Sequence, residues 1–213
     1  MLNLSTHRLK LLKAMLFALA LLPCGRLVLF AFTDRLGANP IEFITRSTGD
    51  WTLYFLCLTL TVTPLRRLTG LNWLIKLRRM IGLFTFFYAT LHFTTFLWFD
   101  HFFDLGEMLK DVIKRPFITA GFSAFLLLIP LAATSTNAMM RRLGGKRWQR
   151  LHRTIYLIAP LAILHFWWMK AGKHDFTQPI FFGVIVVLLL SMRVYWSVEK
   201  IRAQKRHVTP TPT

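Results

Sequence analysis

The sequence predicts an all-α polytopic membrane protein, a bundle of six transmembrane helices with both termini in the cytoplasm. Three observations carry that reading. The chain is 54% hydrophobic and 15% aromatic, too apolar for a soluble domain of 213 residues. Its apolar residues gather into six runs, at about 11–32, 51–64, 80–99, 116–134, 151–169 and 179–197. Its charge alternates between successive connections. Nineteen basic residues against one acid, Glu199, occupy the N-terminal tail, the 65–79 loop, the 135–150 loop with Arg153, and the C-terminal end from Arg193. The intervening loops carry seven basic residues and eight acids, and by the positive-inside rule they face outward.

The first run follows Arg8, Lys10 and Lys13 and continues to about Phe32 with no small-x-small cleavage site, so it reads as an uncleaved anchor. Every run except the second reaches or approaches the roughly 20 residues a spanning helix needs. The second is short unless it begins near Phe43, and Gly49-Asp50 would then sit awkwardly inside it. Arg115-Pro116 marks the start of the fourth helix, because proline is tolerated at the first helical position. Pro130 and Pro160 fall inside helices and should kink them. Thr136 is a candidate cap for the short basic stretch Asn137–Gly144. The organisation is thus a cytoplasmic tail (1–10), a transmembrane domain (11–197) and a basic cytoplasmic tail (198–213) expected to be disordered.

The net charge of +18 would suggest nucleic acid in a soluble protein, but these basic residues sit between apolar runs. Cys24 and Cys57 form neither CxxC nor CxxCH, which leaves zinc, dithiol chemistry and covalent haem unsupported. With no GxGxxG, no P-loop and no long connection, the chain has no flavin or nicotinamide domain to supply electrons.

The histidines are the informative residues. The stretch Trp148–Trp168 reads from Leu151 as one apolar helix carrying His152 and His165, about 20 Å apart along its axis. The run 80–99 carries His92, at the same depth as His165. Ionisable groups inside membrane helices default to functional hypotheses, and imidazole is a common axial ligand of haem iron. Two facing helices with histidines at one level predict a bis-histidine haem b, making the chain an electron-carrying cytochrome b. A second haem at His152 is less well provided for. Thirteen residues leave His152 and His165 about 140° apart on an ideal helix. The position opposite His152 holds Arg78 or Arg79, and arginine is a poor iron ligand but suits a haem propionate or a flavin phosphate. His7, His101, His174 and His207 are expected to be solvated. Asp100, Asp104, Glu107 and Asp111 in an outer loop offer contacts to a soluble partner, or are simply solvated charges. The rival readings are a histidine-relay proton or ion transporter and a structural membrane subunit without haem.

Several words of the sequence, RRMIGLFTFFYATLH (78–92), RPFITAG (115–121), TSTNAMMRRLGGKRWQRLHRTIYL (134–157), LGANP (36–40) and TPLRR (63–67), together with His165, resemble the ferric-reductase-like transmembrane domain family. Within it they resemble the haem-binding subunits of bacterial methionine sulfoxide reductase systems, over about residues 10–200. The resemblance implies an inner-membrane protein that takes electrons from the quinone pool or a cytosolic flavin reductase. It implies delivery to a periplasmic molybdopterin enzyme that repairs oxidised methionine in envelope proteins, with no methionine sulfoxide site in this chain. It implies haem b, one or two, and FMN. Its haem histidines map onto His92, His152 and His165. Arg78 stands where the broader family has a fourth histidine, a departure shared by these subunits.

Overall fold

The computed structural model describes residues 4–172 and 174–208, with the backbone alone for 205–208. Among the described residues the regular structure is entirely helical: α1 (Thr6–Phe32), α2 (Pro40–Thr69), α3 (Arg78–Thr95), α4 (Leu105–Lys114), α5 (Pro116–Ala133), α6 (Asn137–Leu143), α7 (Gly145–His152), α8 (Ile155–Ala171) and α9 (Thr177–Val208). A short 3₁₀ turn, Asn72–Lys76, leads into α3, and a π-type turn, Phe96–Asp100, extends it.

Among the described residues, five helical stretches are long and apolar enough to cross a membrane: Thr6–Phe32, Arg78–Asp100, Pro116–Ala133, Gly145–Ala171 and Thr177–Gln204. The sequence predicts six, and α2 is the one that falls outside the five. It is heavily laced with polar residues, yet it supplies Leu53, Leu56, Cys57 and Leu60 to the central core. Its threonines are neutralised within the helix. Thr48, Thr52, Thr59 and Thr61 each donate to the carbonyl four residues back at 2.8–2.9 Å. The inner face of α2 packs against protein and needs less apolar surface than a face that meets lipid, while Tyr54, Leu58 and Leu65 stay exposed on the other side.

The core joins α2 to Ala89 of α3, Ala124, Leu128 and Leu131 of α5, Ile158, Ala159 and Phe166 of α8, and Val186 and Leu189 of α9. Small residues on α3, α5 and α8 let the backbones approach closely. Helix α1 is peripheral. Leu9 packs with Val62, Leu74 and Leu77, and Ala20 with Phe55, Phe84 and Tyr88. The buried Tyr88 hydroxyl wedges into α1 beside Pro23, donating to the Ala20 carbonyl at 2.7 Å and accepting from the Cys24 N–H at 3.2 Å. Outward-facing apolar side chains on α1 and α9, such as Leu22, Leu29, Val187 and Leu188, remain exposed as a lipid-contacting belt requires.

Several boundaries follow their local signals. Asn39 caps α2 with Pro40 at its first position, α5 opens on Pro116, and Thr136 accepts from the Met139 N–H at 3.1 Å to cap α6. Others differ from the sequence reading. The first helix begins at Thr6 on a Ser5 cap, inside the expected tail. The last helix runs through Val208, past residue 197, and residues 209–213 lie outside the described part. The 105–114 segment, read as loop, is a helix capped by Asp104, whose carboxylate accepts from the Gly106 and Glu107 N–H groups.

The expected single helix through both His152 and His165 is broken. Helix α7 ends at His152, and three-residue-spaced bonds take over: Arg153 N–H to Arg150, Thr154 N–H to Leu151 and Tyr156 N–H to Arg153. The Thr154 hydroxyl also donates to the Leu151 carbonyl at 2.8 Å. Such a tight turn changes the winding, so the 140° offset of an unbroken helix does not govern where the two imidazoles point.

Candidate functional site

Helices α3 and α8 bring His92 and His165 together in the bundle. Their ring centroids are 6.1 Å apart with the planes crossed at 73°. His92 Nδ1 lies 2.9 Å from the Thr45 carbonyl of α2, and His165 Nδ1 lies 2.7 Å from the Phe117 carbonyl of α5. A carbonyl only accepts, so both Nδ1 atoms carry the proton and both Nε2 atoms keep their lone pair. Two imidazoles holding one metal from opposite sides, each with a metal–nitrogen bond of about 2 Å and ~1.2 Å from nitrogen to ring centre, have centroids about 6.4 Å apart. The observed spacing fits that arrangement. It also explains Gly49-Asp50, the awkward pair in α2: the His92 ring lies against the backbone at Gly49, and no side chain fits there without a shift. Asp50 is thereby carried into a helix, with Lys170 and Arg46 as its neighbouring charges.

His152 belongs to a different site. Its Nε2 is 3.1 Å from the Thr134 hydroxyl, which itself donates to the Pro130 carbonyl at 2.6 Å. The hydroxyl proton is committed, so His152 Nε2–H is the donor and Nδ1 is the free nitrogen, the reverse of the other two histidines. Trp148 stacks on the ring at 3.9 Å and donates its indole N–H to the Thr134 carbonyl at 2.9 Å. The ring borders a cavity of about 470 Å³ shared with Arg78, Arg79, Gln149, Arg153 and Tyr156. Among its described lining residues there is no acid. Arg78 is tied loosely, to Thr63 at 3.5 Å, whereas Arg79 donates to Asn137 Oδ1 at 2.5 Å and lies 3.6 Å from Met140 Sδ. The arrangement suits an anionic, partly aromatic guest. A stack of rings separates the two levels: Phe86 on this cavity, then Phe125 at 6.0 Å, then Phe93 at 4.7 Å beside His92.

The remaining histidines divide. His7 and His174 are exposed, and the His207 side chain lies outside the described residues. His101, expected in solvent, is partly enclosed instead, with its side chain 9% exposed. It sits 3.5 Å from Asp111 and edge-on to Phe96 at 4.6 Å. The acids beside it are largely occupied locally. Asp104 caps α4, Glu107 pairs with Lys110 at 2.7 Å, and Asp111 pairs with Arg115 at 3.2 Å. At the same end of the bundle, hydrogen bonds from Lys170 and the Thr177 N–H hold the exposed Asp175 carboxyl below the ordinary carboxylate range. Sequence reasoning missed the two carbonyls that orient the histidines, since a backbone acceptor leaves no mark in the sequence. It also missed Thr134 and Trp148 as partners of His152. The spacing of an aromatic four residues before a histidine on one helix face was the available signal for Trp148.

Comparison with known proteins now adds to this geometry. A family profile described as "Ferric reductase like transmembrane component" matches residues 48–163, which include His92, His152 and Arg78 and end two residues before His165. The fold and the match define the class: a ferric-reductase-like transmembrane component. Within it the similarity is specific. A "Protein-methionine-sulfoxide reductase heme-binding subunit MsrQ" from Herminiimonas arsenicoxydans is 74% identical over 196 residues, covering 92% of this chain and 90% of that protein. Its counterpart in Ralstonia nicotianae is 60% identical, covering 88% and 87%, and that of Bordetella pertussis 56% identical, covering 86% and 88%. The chain belongs to the MsrQ family. It is a multi-pass protein of the bacterial inner membrane. No solved structure matches the chain.

Proposed function

We propose that the chain is the membrane haem-binding, electron-transferring subunit of a methionine sulfoxide reductase system, with His92 and His165 as the two axial ligands of a haem b. The observation that carries the reading is the facing pair of imidazoles 6.1 Å apart, each with Nδ1 bound to a carbonyl and Nε2 free. When bound, haem supplies reversible one-electron chemistry at its iron, tuned by axial ligands and burial. The chain's own part is to hold the two rings rigidly, set their tautomer and exclude water with the surrounding helices.

In this reading α2 is the sixth span, long enough at 30 residues to reach across a bilayer, and both termini are cytoplasmic. The end that carries His92, His165 and the acidic 100–111 loop then faces the periplasm, and the arginine-rich cavity faces the cytoplasm. Electrons enter from the quinone pool or a cytosolic flavin reductase. They leave to a periplasmic MsrP-like molybdopterin enzyme, which reduces methionine sulfoxide in oxidised envelope proteins. The cytoplasmic cavity, with His152, Arg78 and Arg79, is the place for a second haem or FMN. Its arginines would hold propionates or a phosphate, while iron ligation by His152 would need Nδ1 or release of the Thr134 bond.

A dithionite-reduced absorption spectrum of the purified protein tests the reading. Bands of a b-type cytochrome are expected, and their absence would leave the histidine-relay transporter or the haem-free structural subunit. His92→Ala should remove most of the haem, and full retention would overturn the ligand assignment.

A further inference from the structure

The two facing histidines are seated by the same device on two different helix pairs. On α2 the acceptor of His92 Nδ1–H is the Thr45 carbonyl, and the residue four positions on is Gly49. On α5 the acceptor of His165 Nδ1–H is the Phe117 carbonyl, and four positions on is Gly121. In a regular α-helix the N–H of residue i+4 bonds the carbonyl of residue i. Each imidazole therefore shares its acceptor with a glycine N–H, using the second lone pair of the oxygen. The ring must then lie across the backbone where a side chain would otherwise project. A Cβ on Gly121 would fall 2.7 Å from His165 Nδ1 and 3.0 Å from Cε1. One on Gly49 would fall 3.1 Å from His92 Cε1 and 3.3 Å from Nδ1. Other glycines inside the long helices are unlike these: Gly82 and Gly183 would meet nothing nearer than 3.6 Å, and Gly25 nothing within 4 Å. The carbonyl-to-histidine separations, 47 and 48 residues, are nearly equal, so α2 with α3 and α5 with α8 repeat one arrangement that the residue pattern does not display.

We propose that Gly49 and Gly121 are positioning residues, each forming with the carbonyl four residues before it a seat that fixes one imidazole by its tautomer and by its distance from the helix. The proposal rests on the haem reading above. The carbonyl decides that Nδ1 carries the proton, and the bare backbone decides how far the ring projects, so that both Nε2 lone pairs are presented to one metal. The two seats are unequal. At Gly121 a methyl group would stand inside contact distance of a ring nitrogen already bonded to the same helix, and the ring must move. At Gly49 a shift of a few tenths of an ångström accommodates it.

The test uses the full-length protein purified in detergent with the haem it acquires in the cell. Haem per polypeptide, the low-spin ferric EPR g values and the midpoint potential are measured for wild type, Gly121→Ala, Gly49→Ala and the packing control Gly183→Ala. Gly121→Ala should lose haem affinity about tenfold or more, as losing an orienting partner typically does. Gly49→Ala should keep its haem with displaced g values and potential, and Gly183→Ala should match wild type. Should Gly121→Ala fail to fold, Gly49→Ala decides alone. Wild-type g values and potential in the histidine-seat variants, even with lower thermal stability, would reduce the glycines to packing and overturn the proposal. A wild-type protein without haem would sink the haem reading itself, a separate result.

Discussion

Pro64 lies inside α2, and without an N–H it cannot serve the Leu60 carbonyl four residues before it. Arg193 of α9 fills that vacancy. Its Nη2 donates to the Leu60 carbonyl, its Nη1 donates to the Leu189 carbonyl at 2.9 Å, and its guanidinium stands 5.4 Å from the Tyr156 ring centre. Arg193→Met keeps much of the apolar stem and removes both donors. Leu189 retains its own helical partner, so the loss falls on Leu60, and a buried carbonyl left without a donor costs roughly 1–3 kcal/mol. The relief of no longer burying a cation offsets part of this. That relief is the same whether or not position 64 is proline, which makes the double-mutant cycle the informative measurement. Pro64→Ala restores an N–H aimed at Leu60, and in that background Arg193→Met should cost about 1–2 kcal/mol less than in wild type. Reversible unfolding in mixed micelles gives the four free energies. Additivity within about 0.3 kcal/mol would show that the arginine does not serve the carbonyl that proline leaves open.

Two further substitutions probe neighbouring features. Tyr88→Phe removes the hydroxyl wedged between Ala20 and Cys24, and should lower stability by about 0.5–1.5 kcal/mol while making α1 more accessible to protease; an unchanged digestion pattern would contradict the wedge. Asp104→Ala removes the cap of α4 and should cost about 0.5–2 kcal/mol locally. It should be read as faster hydrogen exchange at the amides of Gly106, Glu107 and Met108, with the bundle's amides unaffected.

Particular residues show where the sequence was sufficient. The apolar runs, Pro116, Thr136 and the charge alternation are local signals, set by what lipid and a helix terminus each demand, and they give five of the six expected spans and some of the helix starts. The equal depth of His92 and His165 was also legible, because helical rise converts residue number directly into height. Helix α4 was legible and overlooked: Asp104 with Glu107 three residues later opens a helix, and Leu105, Met108, Leu109, Val112 and Ile113 follow at helical spacing.

By itself, then, the sequence determined the membrane class, the number of apolar runs and the level at which two histidines stand, since these depend on composition and on distance along one helix. Only the tertiary structure decided which way the rings turn. The carbonyls of Thr45 and Phe117 orient His92 and His165, the Thr134 hydroxyl turns His152 the opposite way, and the tight turn after His152 separates it from the helix of His165. Tautomer and ring direction depend on acceptors contributed by other helices. A backbone oxygen is the same atom at every position, so nothing in the order of residues reveals which one an imidazole will meet.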